Sequence, residues 1–283
     1  MVFLEGVKLL NEQEECELLI EKNIKSKSPY PFRIFPNKGV RLLGFKPVTI
    51  FYGGNGTGKS TLLNVIADRI GAERKVHTNR GSIYKEYVSH ASFNYFGFPN
   101  ELKIITSEDI FDYMLDVKAI NRKVNPKDSE IVDEYFEMKC ENSDDFYLNY
   151  KKKKQEVLND DSKLCEYIEN NVGNSQINLK SNGEVALDFW KKEIKEKAIY
   201  LIDEPENSLS TISQLRLKKL IVDYSLNHDT QFIIATHSPI LLSINNALIY
   251  DLDFNPVKTK EWYELENVIM YYKFFKENED KFE

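Results

Sequence analysis

Val48-Thr49-Ile50-Phe51-Tyr52 runs directly into Gly53-Gly54-Asn55-Gly56-Thr57-Gly58-Lys59-Ser60, and the reading of this stretch decides the fold. A continuous β-branched and aromatic run marks a strand buried on both faces, as in a parallel sheet covered by helices. Beyond the glycines, Leu63, Ile66, Ala67 and Ile70 recur at helical spacing and Gly71 stands where a C-terminal cap belongs, which predicts a helix from about Ser60 to Ile70. A glycine loop of the form G-x-x-x-x-G-K-[ST] between strand and helix is a phosphate-binding loop. Its glycines let backbone N–H groups turn inward around the phosphates, helped by the positive end of the helix. The Lys59 ammonium reaches the terminal phosphate oxygens, and the Ser60 hydroxyl is a candidate Mg²⁺ ligand. The candidate nucleotide-binding residues are therefore Gly53, Gly54, Asn55, Gly56, Thr57, Gly58, Lys59, Ser60 and the adjoining Thr61.

Two later segments carry matching chemistry. Ile199-Tyr200-Leu201-Ile202-Asp203-Glu204 is an apolar strand ending in two carboxylates. As a parallel strand beside the loop strand, it delivers both to the phosphate edge of the sheet. Asp203 then suits the magnesium shell through water, and Glu204 is placed to orient or deprotonate an attacking water. Phe232 to Ala235 is another apolar run, followed by Thr236-His237-Ser238-Pro239. An imidazole at that strand end can hydrogen-bond a terminal phosphate oxygen or the attacking water. Glu204 and His237 are the candidate catalytic residues.

The remaining pattern places these motifs in one α/β domain of 283 residues. Residues 1 to about 52 read as short strands, with Val7–Leu10 and Phe32–Phe35 as candidates between proline punctuation. From about 116 to 178 lysine, glutamate, aspartate and asparagine dominate, which reads as a polar helical lobe inserted into the nucleotide-binding domain. Its run Lys151-Lys152-Lys153-Lys154 reads as a solvated helix face before a phosphate-contacting patch. Helices are expected at Val185 to about Lys195, around Leu217, Leu220, Ile221 and Tyr224, and from Trp262 to Phe282 with Leu265, Val268, Ile269 and Tyr272 as the apolar stripe. Strands alternating with helices imply a mainly parallel sheet with right-handed crossovers.

Composition narrows the class. A content of 42% hydrophobic residues supports a packed core. No apolar run approaches the roughly 20 residues of a membrane span, and the N-terminus lacks the pattern of a signal peptide. Cys16, Cys140 and Cys165 are widely spaced and match no metal pattern, so a cytoplasmic location is expected. A formal net charge of −7 argues against bulk electrostatic binding of nucleic acid.

The loop, the strand ending in Asp203-Glu204-Pro205 and the later Thr236-His237-Ser238-Pro239, in that order, resemble the ABC-ATPase superfamily. The fuller forms Asp203–Leu209 and Ile233–Pro239 resemble its soluble branch, small bacterial AAA-family ATPases akin to SMC and break-repair proteins and to the overcoming-lysogenization-defect nucleases. The likeness spans roughly residues 30–110 and 175–283. It implies an α/β P-loop fold with a mainly parallel core sheet, an antiparallel N-terminal β portion and the inserted helical lobe. It also implies ATP and Mg²⁺ as ligands and a homodimer with ATP sandwiched between protomers. Three outputs stand open: a DNA-associated motor-like ATPase, a switch controlling a separate nuclease or toxin in an anti-phage system, and the ATP-binding subunit of a transporter, which the absence of a span disfavours.

That family implies a signature loop, contributed by the partner subunit, ahead of the second strand. Ser181-Asn182-Gly183-Glu184 occupies this place, with Ser181 and the Gly183 backbone as the γ-phosphate contacts and Asn182 in the position of a glycine. For the family's glutamine loop the candidate is Thr106-Ser107-Glu108-Asp109, with Glu108 near the metal, although a helix cap explains the same residues. The Asp that usually follows the second strand and touches the partner is replaced by Ser210.

Overall fold

The computed structural model describes residues 2–26, 29–75, 81–122, 182–207 and 209–282. The chain divides into two compact units, Met1–Ile110 with Leu187–Glu283, and Phe111–Ala186. Most of the lobe expected at about 116–178, and Ser181 with it, lies outside the described residues.

In chain order the described elements are β1 (Leu4–Lys8), α1 (Glu12–Glu21), β2 (Leu42–Gly44), β3 (Val48–Tyr52), α2 (Lys59–Ile70), α3 (Ser82–His90), β4 (Ser92–Tyr95), β5 (Glu101–Ile105) and α4 (Ser107–Arg122). After the undescribed stretch come α5 (Asn182–Glu193), β6 (Ala198–Asp203), α6 (Thr211–Asn227), β7 (Gln231–Ala235), α7 (Pro239–Leu242), β8 (Leu248–Asp251), β9 (Lys258–Thr259) and α8 (Glu266–Glu277).

The larger unit holds two sheets. One is antiparallel with strand order β2-β1-β4; the other has six strands in the order β5-β6-β7-β3-β8-β9, parallel except for β9. The expected α/β architecture, with a parallel core and an antiparallel N-terminal β portion, is present. Every residue of β3 and β7 is buried, as continuous apolar strands covered on both faces require. The sheets are joined by Gln231, which is fully buried. Its Oε1 accepts from the N–H groups of Phe3 (3.1 Å) and Leu4 (2.9 Å), and its Nε2 donates to the Leu4 carbonyl (2.9 Å) and the Lys46 carbonyl (3.3 Å). A buried amide with its groups satisfied fixes one relative placement of the sheets.

Three local expectations differ from the structure. Phe32–Phe35 is a turn, not a strand. Arg33 adopts φ 68, and its N–H donates to a carboxylate oxygen of the buried Glu15 at 2.7 Å, while Phe32 and Phe35 enter the core. The N-terminal region also contains a helix, α1, whose start at Asn11 is a capping box closed by Glu14. Finally, the C-terminal helix buries only its beginning. Leu265 and Val268 are covered, whereas Tyr272 is 64% exposed together with Met270, Tyr271, Phe274 and Phe275.

Candidate functional site

β3, β6 and β7 point their C-terminal ends the same way, so the three motifs meet at one sheet edge. The register pairs Phe51 with Ala235 and Asp203 with Ala235. The carboxylate strand is therefore not directly beside the loop strand, as its pattern suggested. β7 lies between them, and the His237 segment emerges between the loop and the carboxylates. A parallel strand can be inserted there because helical crossovers leave strand order free of chain order.

Gly58 ends the loop as the N-cap of α2 in a left-handed conformation, φ 95, and a Cβ there would press on Ile34 at 3.2 Å. A side chain at that position meets both backbone strain and a close neighbour. Lys59 is only 4% exposed, and its Nζ donates to the carbonyls of Gly53 (2.8 Å) and Gly54 (3.0 Å). The same Nζ lies 3.8 Å from Glu204 Oε1. The ammonium thus ties the loop's first two carbonyls to the second carboxylate.

Ser60 Oγ donates to Asp203 Oδ1 at 3.1 Å, which brings together the two oxygen donors singled out for Mg²⁺. Burial pushes the Asp203 carboxyl up to about 6, with the neighbouring Glu204 charge adding to the rise and the Ser60 hydroxyl opposing it. A half-buried carboxylate held with a serine hydroxyl fits a hard cation that takes few protein ligands and completes its shell from phosphate and water. No group of three or more His, Cys, Asp or Glu side chains among the described residues could hold a metal by itself.

Glu204 occupies a left-handed conformation, φ 47, with its N–H donating to the Ala235 carbonyl at 2.9 Å. Such a conformation in a non-glycine residue costs roughly 1 kcal/mol or more and is retained where the aim of the side chain matters. Asn207 Nδ2 donates to the second Glu204 oxygen at 2.9 Å, leaving the carboxylate held from two sides.

His237 is half-exposed and faces a cavity of about 330 Å³ shared with Gly53, Gly54, Asn55, Asp253 and Asn267. Its backbone carbonyl accepts from Asn267 Nδ2 at 2.9 Å. Ser238 caps the short helix that Pro239 opens. Thr61 Oγ1 accepts from the Tyr30 hydroxyl at 3.1 Å, which sets a partly exposed aromatic ring beside the start of α2.

The other candidates are placed as follows. Glu108 is half-buried at the start of α4, at the same sheet edge, because β5 pairs in parallel with β6 through Ile105 and Ile202. The hydrogen bonds around it serve the helix start: the Asp109 carboxylate accepts from the Thr106 N–H at 2.7 Å and the Thr106 hydroxyl at 2.9 Å. Gly183 lies in the first turn of α5, whereas Ser181 is outside the described residues. Ser210 caps α6 of its own chain, accepting from the Ser213 N–H at 3.3 Å.

Two acidic residues of the site were not singled out by sequence. Glu206, 8% exposed, accepts at Oε1 from the Thr236 hydroxyl (2.6 Å) and the His237 N–H (2.8 Å). The Asp253 carboxylate accepts from the Gly54 N–H of the loop at 2.9 Å. Glu206 sits in the quoted run Asp203-Glu204-Pro205-Glu206, and its being a third acid there is the available signal. Nothing local marks Asp253, which the parallel pairing of β8 with β3 brings to the loop.

No protein-family model matches the chain. Among solved structures it is similar to an SMC head domain bound to the C-terminal domain of ScpA from Pyrococcus furiosus, at 13% identity and a TM-score of 0.46, covering 96% of this chain and 100% of that one. It is likewise similar to an SMC head domain from Thermotoga maritima, at 14% identity and a TM-score of 0.41, covering 92% and 100%. A third similar structure is an inward-facing putative metal-chelate type ABC transporter, at 17% identity and a TM-score of 0.37, covering 79% and 75%. At these scores the chemistry of the site rests on its own residues. No described helix is long and apolar enough to cross a membrane.

Proposed function

We propose that this protein is an ABC-type ATPase that binds Mg-ATP at Gly53–Thr61 and hydrolyses it. The observation that carries this reading is the meeting of Lys59 and Ser60 with Asp203 and Glu204 at one sheet edge, through contacts of 3.1 and 3.8 Å. Loop amides and Lys59 bind the phosphates, and their positive potential offsets charge that water would otherwise screen. Ser60, and Asp203 through water, would hold magnesium, with Glu108 as a further candidate. The cation supplies charge neutralisation at the phosphate oxygens. Glu204, aimed by its left-handed backbone and by Asn207, orients the attacking water and takes its proton. His237 faces the terminal phosphate from the loop side of the cavity.

The reading extends to a homodimer in which Ser181 and the Gly183 backbone of one protomer complete the site of the other. The supporting feature is the position of Ser181-Asn182-Gly183-Glu184 at the start of α5, where a helix N-terminus suits an anion. The resemblance of Asp203–Leu209 and Ile233–Pro239 to the soluble branch supports a regulatory or motor role in a DNA-related or anti-phage defence system. The primary test is phosphate release from Mg-ATP by the purified protein. No release at saturating Mg-ATP, under conditions where binding is measured, refutes hydrolysis. Stimulation by added DNA favours the motor role, and a stoichiometric co-purifying nuclease or toxin favours the switch.

A further inference from the structure

The Glu206 carboxylate is an unusual object at this edge. Its Oε1 collects three contacts: the Thr236 hydroxyl at 2.6 Å, the His237 N–H at 2.8 Å and the His237 ring nitrogen Nδ1 at 3.4 Å. Its Oε2 is buried without a hydrogen-bond partner. Thr236, itself fully buried, passes the constraint on, since its hydroxyl oxygen accepts from the Ser238 N–H at 3.0 Å and its own N–H donates to the Phe51 carbonyl of β3 at 3.2 Å. On the far side of His237, Asn267 holds the carbonyl.

A buried carboxylate with one oxygen unpaired carries a desolvation penalty that neutral donors offset only in part. The carboxylate beside Nδ1 also favours the ring form with its proton on that nitrogen, because the partner of one ring nitrogen decides the state of the other. Nε2 is then the acceptor nitrogen of a ring that lines the cavity shared with the loop.

We propose that Glu206 is a positioning residue, which fixes the backbone and ring of His237 so that the unprotonated Nε2 is presented at the terminal phosphate site as the acceptor of a hydrogen bond from the attacking water. This rests on the ATPase reading above for its consequence in turnover, though not for the contact itself. It assigns a task to the third acid of the Asp203–Glu206 run and separates it from Glu204, which faces Lys59.

The test has two arms. The chain has four histidines, so ¹⁵N-histidine labelling with two-bond ring correlations resolves the His237 tautomer in the nucleotide-free protein. The Nδ1–H form should dominate in the wild type and give way to the Nε2–H form in Glu206→Ala. In the second arm, Glu206→Ala should lower kcat on the order of tenfold with KM for ATP nearly unchanged, and it should add nothing to the loss caused by His237→Ala. Glu206→Gln keeps an acceptor for Thr236 and the His237 N–H but removes the negative charge beside Nδ1, so it should shift the tautomer and kcat in the same direction by less, and it serves both arms if the alanine protein does not fold. An unchanged tautomer population, or losses that multiply in the double variant, overturns the proposal. Absence of ATP hydrolysis in the wild type would instead remove the functional reading, and the tautomer arm would still decide whether Glu206 governs the ring.

Discussion

Replacing Asp203 by asparagine should make the nucleotide-free protein more stable while abolishing the proposed hydrolysis of Mg-ATP. The carboxyl is held at about 6 against an ordinary value of 3.8, with burial as the main cause. The folded protein therefore binds this proton more tightly than the unfolded chain does. Stability from this group is complete below the ordinary value and falls as pH rises through 6. A rise of about two units corresponds to roughly 3 kcal/mol of destabilisation above pH 7, decreasing to about half that at pH 5. Asparagine keeps an oxygen for the Ser60 hydroxyl and carries no charge to bury, so it removes most of this penalty. The gain should raise the midpoint of thermal unfolding by several degrees at pH 7.5, at about 2–4 °C per kcal/mol for a chain of this size. Differential scanning calorimetry at pH 7.5 and pH 5 checks both the size and its shrinkage on acidification. On the proposed reading Mg-ATP should reverse the ranking, since the bound cation would give the wild-type carboxylate a counter-charge that asparagine cannot use. A nucleotide-free variant less stable than wild type, or a difference that does not shrink at pH 5, would refute the assignment of Asp203 as a desolvated, cation-seeking carboxylate.

Further outcomes follow from the same contacts. Lys59→Ala should fold yet lose thermal stabilisation by Mg-ATP, because no other described ammonium reaches the loop carbonyls; unchanged stabilisation would move the nucleotide elsewhere. Glu204→Gln should bind ATP but turn over on the order of a hundredfold more slowly, with an ATP-held dimer accumulating on size exclusion; wild-type turnover would show that another residue positions the water. Gln231→Leu removes partners from the buried N–H groups of Phe3 and Leu4 and should lower stability by about 3 kcal/mol in urea unfolding, without altering the affinity of the site for ATP. Lys59→Ala and Ser181→Arg proteins, each inactive alone, should recover about a quarter of normal turnover when mixed, as one wild-type composite site forms per mixed dimer. Full turnover by Ser181→Arg alone would remove the signature-loop assignment.

Much of the site was legible in the sequence because its signals are local. The run Val48–Tyr52, the glycine spacing and the periodicity after Lys59 specify strand, loop and helix without reference to distant residues, and α2 begins and ends within one residue of its pattern. The same holds for β6 and β7, and the apolar face at Leu217 and Ile221 marks α6. Partner choice is another matter, because it is made between segments far apart in the chain. Sequence placed Asp203 and Glu204 at the glycine-loop edge of the sheet but had no means of seating β7 between β6 and β3. It read Phe32–Phe35 as a strand, since a tight turn also buries two aromatics, and only Glu15 on a separate helix shows the difference. It extended one apolar stripe along the whole C-terminal helix, although the body covers only the beginning. Glu206, Asp253 and Gln231 look like ordinary surface polar residues in one dimension. Burial and parallel strand pairing turn them into the holds on His237, Gly54 and the N-terminal sheet, and those holds exist only in the tertiary structure.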